Sequence, residues 1–389
     1  MKARPRILFV IKDLKQGGTE GQLLRLLRAA IARDFEVRLC TFSEDVHYDE
    51  LPVVIHHLNR PVRGWTTAGV IAKVIDDFRP DLVHSFRDRV NAAVRVALTR
   101  SRHQPAWLMS VRGRPILPVD LLLAALISPR AYRVTVNSVG IAESLQRHAY
   151  IPAERVALIH NLLDANAFAP ATASARARAR AELALADDAF VWVLPARISW
   201  VKNHFGLVLA LRHLRRSGRL PAQATVLLAG RVRDRLCGWL LPRWARLWGV
   251  AQHLRWLGPV RDMHQVYAAA DALVLPSWAE GMPNVSIEAH LSGLPAVVSR
   301  QANRDAIVEH RVTGLETATG DHTALAETMA AVMALPPEER AAMGARGRAR
   351  VVERFRPEAV LDKLFSLYQA AISAQLARQT VAKLPVRNA

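Results

Sequence analysis

Two glutamates with seven residues between them, Glu280 and Glu288, form the clearest chemical pattern in the sequence. Glu280 follows an apolar run at residues 272–276 that predicts a buried strand, and Glu288 lies in residues 285–292, which predict a helix. Open α/β sheets bind ligands at the carboxyl ends of their strands, and a carboxylate accepts hydrogen bonds from two hydroxyl donors. The pattern therefore suits a hydroxyl-rich ligand. Spacing alone would favour a plainer alternative, a strand, loop and helix with two solvent-facing glutamates.

The loop between these glutamates is suited to an anion. Backbone N–H groups of such a loop, together with the N-terminus of the helix that follows, can bind a diphosphate. The loop residues expected to line the site are Gly281, Met282, Pro283 and Asn284.

Two cations follow another apolar run, at residues 190–195. Arg197 and Lys202 lie on the expected loop, where an arginine can clamp a phosphate with two parallel hydrogen bonds and a lysine can add a point charge. The alternative is ordinary surface charge in a basic protein. The preceding strand favours a phosphate clamp.

A pair of glycines, Gly17 and Gly18, follows the first predicted strand. Glycines ahead of a helix permit close backbone approach and present N–H groups to an anion. Turns use such pairs often, so the pair is weak as a signal by itself. Lys15, just before it, is a further cation that could assist.

The elements that must position these residues alternate along the chain. Short apolar runs in the first half predict strands, and helical patterns at 20–33, 68–78 and 91–99 lie between several of them. The strands predicted there are 7–11, 37–41, 53–57, 82–84, 107–110, 133–136 and 156–159. After an Ala- and Arg-rich segment, a second series is predicted at 190–195, 225–229, 254–257, 272–276 and 296–299. This alternation predicts two parallel, doubly wound α/β sheets with a ligand cleft between them.

A chain of 389 residues suits two domains. The expected divisions are a first domain at 1–166, a second at 167–354, a C-terminal helix at 355–376 that packs back toward the first domain, and a polar tail at 377–389.

The amino-acid sequence around the last strands of the second series resembles that of a known family. EGMPNVSIEAHLSGLP at 280–295 is similar to the signature of family-four retaining glycosyltransferases, and ADALVLPS at 270–277 also resembles that family. The resemblance covers the second domain well and the first moderately. It implies the GT-B fold, with two Rossmann-like domains facing a cleft. It also implies retaining, metal-independent transfer of a sugar from a UDP- or GDP-linked donor, with no further cofactor.

The resemblance also implies roles for single residues. Glu280 would contact the hydroxyls of the donor sugar, Glu288 the ribose, and the loop between them the sugar and the diphosphate. Arg197 and Lys202 would stabilise the charge that develops on the leaving phosphate, which makes them, with Glu280, the predicted catalytic residues. The glycines at 17–18 resemble the N-terminal glycine loop of the family and would bind the donor.

The acceptor side departs from the family pattern. Many members have a histidine near the strand that corresponds to 107–110, whereas this chain has Arg112 just beyond it. Arg112 is therefore the predicted acceptor-side residue, with His84 at the end of an earlier strand as a second candidate. A lone histidine such as His84 is at least as often structural as functional.

The net charge of +19 points to polyanionic partners. Residues 84–133 carry nine arginines and two acids beside an apolar run at 115–127, a combination suited to an anionic membrane surface. The alternative, in which the leucines are core and the arginines a solvated rim, stays equally open.

Four tryptophans are interleaved with arginines at residues 231–256. Interfacial helices and single-strand nucleic-acid sites both use such a composition. A helical stripe favours a buried face with one exposed tryptophan at most. The stripe consists of Leu240, Trp244, Leu247, Trp248 and Ala251.

Other classes of protein fit less well. Two cysteines, Cys40 and Cys237, give no disulfide or metal framework, and the N-terminal apolar run is too short for a signal peptide. The sequence predicts a cytoplasmic protein, or one peripheral to the inner face of the membrane. It is expected to act on a saccharide or lipid-linked acceptor in polysaccharide or lipopolysaccharide synthesis. A sugar-nucleotide epimerase of the same fold is the alternative enzyme. A basic nucleic-acid-binding module ranks last, so nucleic acid is not an expected partner.

Overall fold

The computed structural model describes residues 4–14, 18–44, 53–59, 65–113, 118–163, 165 and 167–382. The chain forms two compact units, Met1–Leu162 with Pro357–Ala389, and Leu163–Arg356. These bounds differ by a few residues from the divisions expected from the sequence.

The first unit is built on a seven-stranded parallel sheet of order β3-β2-β1-β4-β5-β6-β7. Its strands are β1 (Arg6–Ile11), β2 (Glu36–Thr41), β3 (Val54–His57), β4 (Leu82–Phe86), β5 (Ala106–Val111), β6 (Arg133–Val136) and β7 (Val156–Leu158). The helices before residue 163 are α1 (Gly18–Ala32), α2 (Trp65–Phe78), α3 (Asp88–Arg100), α4 (Pro118–Ile127) and α5 (Val139–His148).

Residues of β1 show why this sheet is covered on both faces. Ile7 and Phe9 pack into one buried apolar cluster, whereas Leu8 and Val10 pack into another. Successive side chains of a strand point to opposite faces, so an uninterrupted apolar run requires a hydrophobic layer on each side.

The second unit repeats this plan with a six-stranded parallel sheet of order β10-β9-β8-β11-β12-β13. Its strands are β8 (Val191–Pro195), β9 (Thr225–Ala229), β10 (Leu254–Gly258), β11 (Ala272–Leu275), β12 (Ala296–Ser299) and β13 (Gly314–Thr317). Its helices are α6 (Ala173–Glu182), α7 (His204–Arg216), α8 (Arg235–Leu247), α9 (Met263–Ala269), α10 (Asn284–Leu291), α11 (His322–Ala334) and α12 (Pro337–Arg354).

The predicted strands are all present, with ends that move by a residue or two, and the doubly wound fold class is confirmed. Sequence reasoning missed β13, whose four residues lack a long apolar run.

The last helix, α13 (Pro357–Ala382), belongs to the first unit. It continues beyond residue 376, so a tail that starts at 377 is wrong for its first residues, and 383–389 lie outside the described residues. The side chains of Gln375 and Gln379 both donate to the carbonyl of Gln104, at 3.0 and 2.8 Å, which holds this end of the helix.

A buried hydrogen-bond chain joins α13 to the first sheet. The Tyr368 hydroxyl lies 2.7 Å from Nδ1 of His84, and Nε2 of His84 lies 2.8 Å from Oγ of Ser110. All three side chains are fully buried. Burial lowers the pKa of His84 well below its usual value and raises that of Tyr368, so both stay neutral.

No helix in the described part of the chain combines the length and apolarity that crossing a membrane would need.

Replacing Tyr368 with phenylalanine tests this chain of bonds. The substitution keeps the ring but leaves Nδ1 of buried His84 without its partner, which is expected to cost about 1–3 kcal/mol of unfolding free energy. Urea denaturation measures the loss. Tyr150→Phe is the matched control because Tyr150 is exposed, and equal stability of the two variants would contradict the structural role of the bond.

Candidate functional site

Residues 196–203 form the loop after β8 that carries two of the predicted cations. A short 3-10 turn, Trp200–Lys202, ends at Asn203, whose φ of 54° is left-handed. Asparagine tolerates this conformation better than most residues. Its side chain accepts a hydrogen bond from the Gly206 amide and donates one to the Pro276 carbonyl, each at 3.1 Å. Asn203 therefore both begins α7 and ties the loop to the end of β11.

A second tie holds the other half of this loop. The Ile198 amide donates to the Arg231 carbonyl and the Ile198 carbonyl accepts from the Arg233 amide, each at 3.0 Å. The two segments approach so closely that a Cβ added to Gly230 would lie 2.2 Å from the Ala196 carbonyl oxygen. A glycine is required here, and the loop is tied to its neighbours at both Ile198 and Asn203.

The predicted residues Lys202 and Glu280 are brought together in an ion pair. Nζ of Lys202 lies 2.6 and 2.7 Å from the two carboxylate oxygens of Glu280. The side chains are 20% and 10% exposed, respectively. The pair forms because β8 and β11 are neighbouring parallel strands, so the loops at their carboxyl ends meet. Arg197 lies on the same loop and is exposed.

An aromatic ring that sequence reasoning did not single out borders this pair. The Trp278 amide donates to the Val201 carbonyl at 2.8 Å, and its ring is partly exposed. Gly320 has a φ of 83°, and a Cβ there would lie 2.3 Å from the Trp278 ring. The glycine thus makes room for the tryptophan, a contact between distant residues that spacing alone does not reveal.

Glu288 is oriented by a buried tyrosine. Its Oε2 accepts a hydrogen bond from the Tyr267 hydroxyl at 3.0 Å, between α10 and α9. Burial raises the pKa of Tyr267, and the negative charge of Glu288 raises it further, so the phenol stays protonated and donates. Sequence reasoning missed Tyr267, because the only signal was a tyrosine in a short helix before β11.

The loop residues predicted to bind the donor lie between the two glutamates and ahead of α10. Met282 and Pro283 are buried, whereas Gly281 and Asn284 are partly exposed. Lys202 and Glu280 therefore lie at the carboxyl ends of β8 and β11, where such sheets bind ligands, and the loop leads from them to Glu288 on α10. Carboxylates, backbone amides and fixed cations in this arrangement suit a polyol joined to phosphates.

Two buried histidines lie near these residues. Burial lowers the pKa of both His204 and His290 to about 4, and the charge of Lys202 contributes at His204. Both are therefore neutral at neutral pH, and Nδ1 of His290 lies 3.0 Å from the Leu294 carbonyl oxygen. Among the described residues, no cluster of three His, Cys, Asp or Glu side chains is placed to hold a metal ion.

A cavity of about 530 Å³ lies elsewhere in the second unit. It adjoins Thr225 and Leu254, at the amino ends of β9 and β10. This is the opposite edge of the sheet from the ion pair, so the cavity is not part of the candidate site.

In the first unit, Arg112 is held at the corresponding edge of the sheet. It follows β5, and its Nη1 donates at 3.0 Å to the side-chain oxygen of Asn161, which also accepts from Asn137 at 3.1 Å. The guanidinium lies 5.5 Å from the centre of the Phe86 ring. Burial lowers the pKa of Arg112 to about 10, which leaves it cationic at neutral pH.

The other residues predicted to be functional in the first unit are His84, Gly17 and Gly18. His84 is fully buried with both ring nitrogens bonded, which favours the structural alternative over an acceptor-side role. Gly17 lies outside the described residues, and Gly18 is the first residue of α1.

Asp88, which sequence reasoning did not single out, begins α3 after β4. Burial and nearby Asp120 raise the pKa of Asp88 to about 6.

The apolar run near residues 115–127 is divided between two faces of α4. Leu122 and Leu126 are exposed with Val119, whereas Ala124 and Ile127 are buried in the first-unit core. The core alternative therefore holds for one face of the helix only, and the membrane surface stays a prediction for the other.

The tryptophan-rich segment contradicts its prediction. The residues of α8 that face the core are Cys237, Leu241 and Ala245, and Trp239, Trp244 and Trp256 are exposed. The expected stripe is wrong for Trp244 and Leu247, which are exposed, whereas Trp248 and Ala251 do pack against the second-unit core.

Comparisons with known proteins agree with this geometry. The family model described as Glycosyltransferase Family 4 matches residues 16–167, and the one described as Glycosyl transferases group 1 matches residues 189–334. EpsF of Bacillus subtilis, which is named as a glycosyltransferase, is 27% identical over 333 residues, covering 82% of this chain and 83% of its own.

Two further proteins are similar. The UDP-Gal:alpha-D-GlcNAc-diphosphoundecaprenol alpha-1,3-galactosyltransferase of Escherichia coli is 24% identical, over 57% of this chain and 56% of its own. The crystal structure of Anabaena HepE in complex with UDP and glucose superposes with a TM-score of 0.82 at 20% identity, covering 94% of this chain and all of that one. The two family matches together span most of the chain, and the fold is that of the superposed structure. The chain therefore belongs to the group 1, family four glycosyltransferases and has the GT-B fold.

Proposed function

We propose that this glycosyltransferase moves a sugar from a UDP- or GDP-linked donor to a saccharide or lipid-linked acceptor, with retention of configuration. The observation that carries the proposal is the Lys202–Glu280 ion pair. Lys202 lies on a loop that also exposes Arg197. HepE, whose structure contains UDP and glucose, is similar over nearly the whole chain and supports this donor class.

The pair suits a donor whose sugar and diphosphate are adjacent. With Lys202 bound along one edge, the carboxylate of Glu280 keeps lone pairs that can accept sugar hydroxyls. The ammonium uses two contacts on Glu280, so its third N–H can be directed to a phosphate oxygen. Glu288, fixed by Tyr267, would accept the ribose hydroxyls.

We propose a front-side transfer that needs no metal and no cofactor besides the donor. The bond between the anomeric carbon and the phosphate oxygen breaks, and a bond to the acceptor oxygen forms on the same face. The proton of the acceptor hydroxyl passes to the leaving phosphate. Arg197 and Lys202 supply the positive charge that stabilises the phosphate as its negative charge grows.

The acceptor is proposed to bind the first unit at Arg112, with Asp88 as a further polar group. A half-buried guanidinium that remains charged suits an anionic acceptor such as a lipid diphosphate. The similar Escherichia coli enzyme is named for a diphosphoundecaprenol-linked acceptor, which supports this class. Work at the inner face of an anionic membrane, in polysaccharide or lipopolysaccharide synthesis, is consistent with the apolar residues exposed on α4.

A panel of UDP- and GDP-sugars tests the donor proposal directly. Each is incubated with the protein and a lipid-linked or free saccharide, and the products are separated by mass and anomeric configuration. We expect one donor to yield a glycosidic product with the configuration of the donor. An epimerised nucleotide sugar without transfer or hydrolysis would instead identify a sugar-nucleotide epimerase.

Glu288→Ala tests the ribose contact. Loss of a charged hydrogen-bond acceptor is expected to weaken donor binding about tenfold, measured by calorimetry or as donor KM. Glu338→Ala, on the exposed first turn of α12, is the matched control and should bind donor as the native protein does. Unchanged affinity in Glu288→Ala would show that the nucleotide lies elsewhere.

A further inference from the structure

The outer face of α8 exposes large apolar side chains. Leu236, Trp239 and Leu247 are 63%, 54% and 77% exposed, and they recur at the spacing of one helical face. Val232, just before the helix, is exposed beside them. Because Cys237, Leu241 and Ala245 already face the core, this outer row is a second apolar face, which an ordinary surface helix lacks.

Positive charge surrounds this apolar face. Residues 231–256 contain six arginines and a single acid, Asp234. The carboxylate of Asp234 accepts from the amides of Leu236 and Cys237, at 3.1 and 3.3 Å, so it is engaged in capping the helix. The exposed arginines around the face are Arg231, Arg233, Arg235, Arg243 and Arg246.

One arginine and one tryptophan of this face form a pair. The guanidinium of Arg243 lies 4.0 Å from the Trp239 ring centre and donates to the Trp239 carbonyl at 2.7 Å. Stacking on the ring keeps the cation beside the apolar surface, where it can meet a lipid phosphate while the ring enters the headgroup region.

We propose that the outer face of α8, comprising Leu236, Trp239, Arg243, Arg246 and Leu247, docks the second unit on an anionic bilayer surface. Apolar side chains enter the headgroup boundary and the arginines bind lipid phosphates. This surface is distinct from α4 of the first unit. The inference goes beyond the transfer reaction proposed above and does not depend on it.

Charge complementarity favours a bilayer over a second copy of the chain. In a symmetric dimer this face would contact its own copy, so arginines would lie opposite arginines. The single acid of the segment, Asp234, is engaged in capping the helix and would offset little of that repulsion. A bilayer offers both an apolar layer and a dense row of phosphates. The exposed leucines have no use in stacking nucleic-acid bases, which favours lipid over a single strand.

The docking face is connected to the candidate site. The segment that leads into α8 exchanges backbone hydrogen bonds with Ile198, in the loop that holds Lys202. A row of aromatic contacts links the same loop to α8. Ring centres are 5.8 Å apart for Trp200 and Phe205, and 5.0 Å for Phe205 and Trp244. A bilayer bound at α8 therefore lies one layer of side chains from the site loop.

Vesicle flotation of the full chain tests the proposal. The vesicles are phosphatidylcholine alone or an equimolar mixture with phosphatidylglycerol, at low and high salt. We expect binding only to the mixture, weakened by salt. The double variant Leu236→Ala/Leu247→Ala should bind roughly tenfold less tightly. Arg243→Gln/Arg246→Gln should bind about thirtyfold less tightly at low salt.

Matched controls separate this face from general surface properties. Leu376→Ala, at an exposed position of α13, and Arg178→Gln, at an exposed position of α6, make single changes of the same kinds elsewhere and should bind as the native protein does. All variants should keep nucleotide-sugar binding and thermal unfolding unchanged. Lipids with brominated acyl chains should quench tryptophan emission, and Trp239→Leu should reduce that quenching.

Several outcomes would overturn the docking face. Vesicle binding that persists in both α8 double variants would place the membrane contact elsewhere. A dimer in sedimentation that Leu236→Ala/Leu247→Ala disperses would identify a self-interface, and α8-dependent binding of single-stranded DNA in preference to vesicles would identify a nucleic-acid surface. Donor binding and transfer to a free saccharide are measured in parallel, so failure of this inference is distinguishable from failure of the proposed function.

Discussion

The ion pair between Lys202 and Glu280 is the interaction on which the candidate site depends. Charges this far removed from water are costly unless they are paired, and each partner here satisfies the other. The pair can form only because β8 and β11 are adjacent and parallel, so that their two loops end at one point. The sheet order thus determines the chemistry as much as the residues themselves do.

The surroundings of the pair favour a site that is already formed before ligand arrives. Asn203 adopts a left-handed conformation and ties its loop to the end of β11, and Ile198 holds the other end of that loop. Tyr267 fixes Glu288 in the same way from a neighbouring helix. Sites held in place by their supporting contacts lose less entropy when they bind, which is an advantage for a donor with many rotatable bonds.

Much of the fold could be predicted from the sequence, because buried parallel strands consist of short runs of apolar residues that are easy to recognise. The positions of Glu280, Lys202 and the loop between the glutamates could be predicted too, since strand ends meet at a known edge. The contacts that refine the site could not be predicted. Tyr368 lies 284 residues from His84, and no local pattern joins them. The core face of α8 could not be predicted because the helix is apolar on two sides, so spacing alone does not tell which side packs on the sheet.

The central claim is that Glu280 recognises the sugar while the remainder of the site recognises the nucleotide. Calorimetry on the native protein and Glu280→Gln, with the nucleotide sugar and with its free nucleoside diphosphate, separates the two parts. We predict that Glu280→Gln loses about tenfold in affinity for the nucleotide sugar but little for the free diphosphate, because the sugar contact is lost while Lys202, released from its carboxylate partner, can still bind the phosphates. An equal loss for both ligands, or no loss for either, would contradict it.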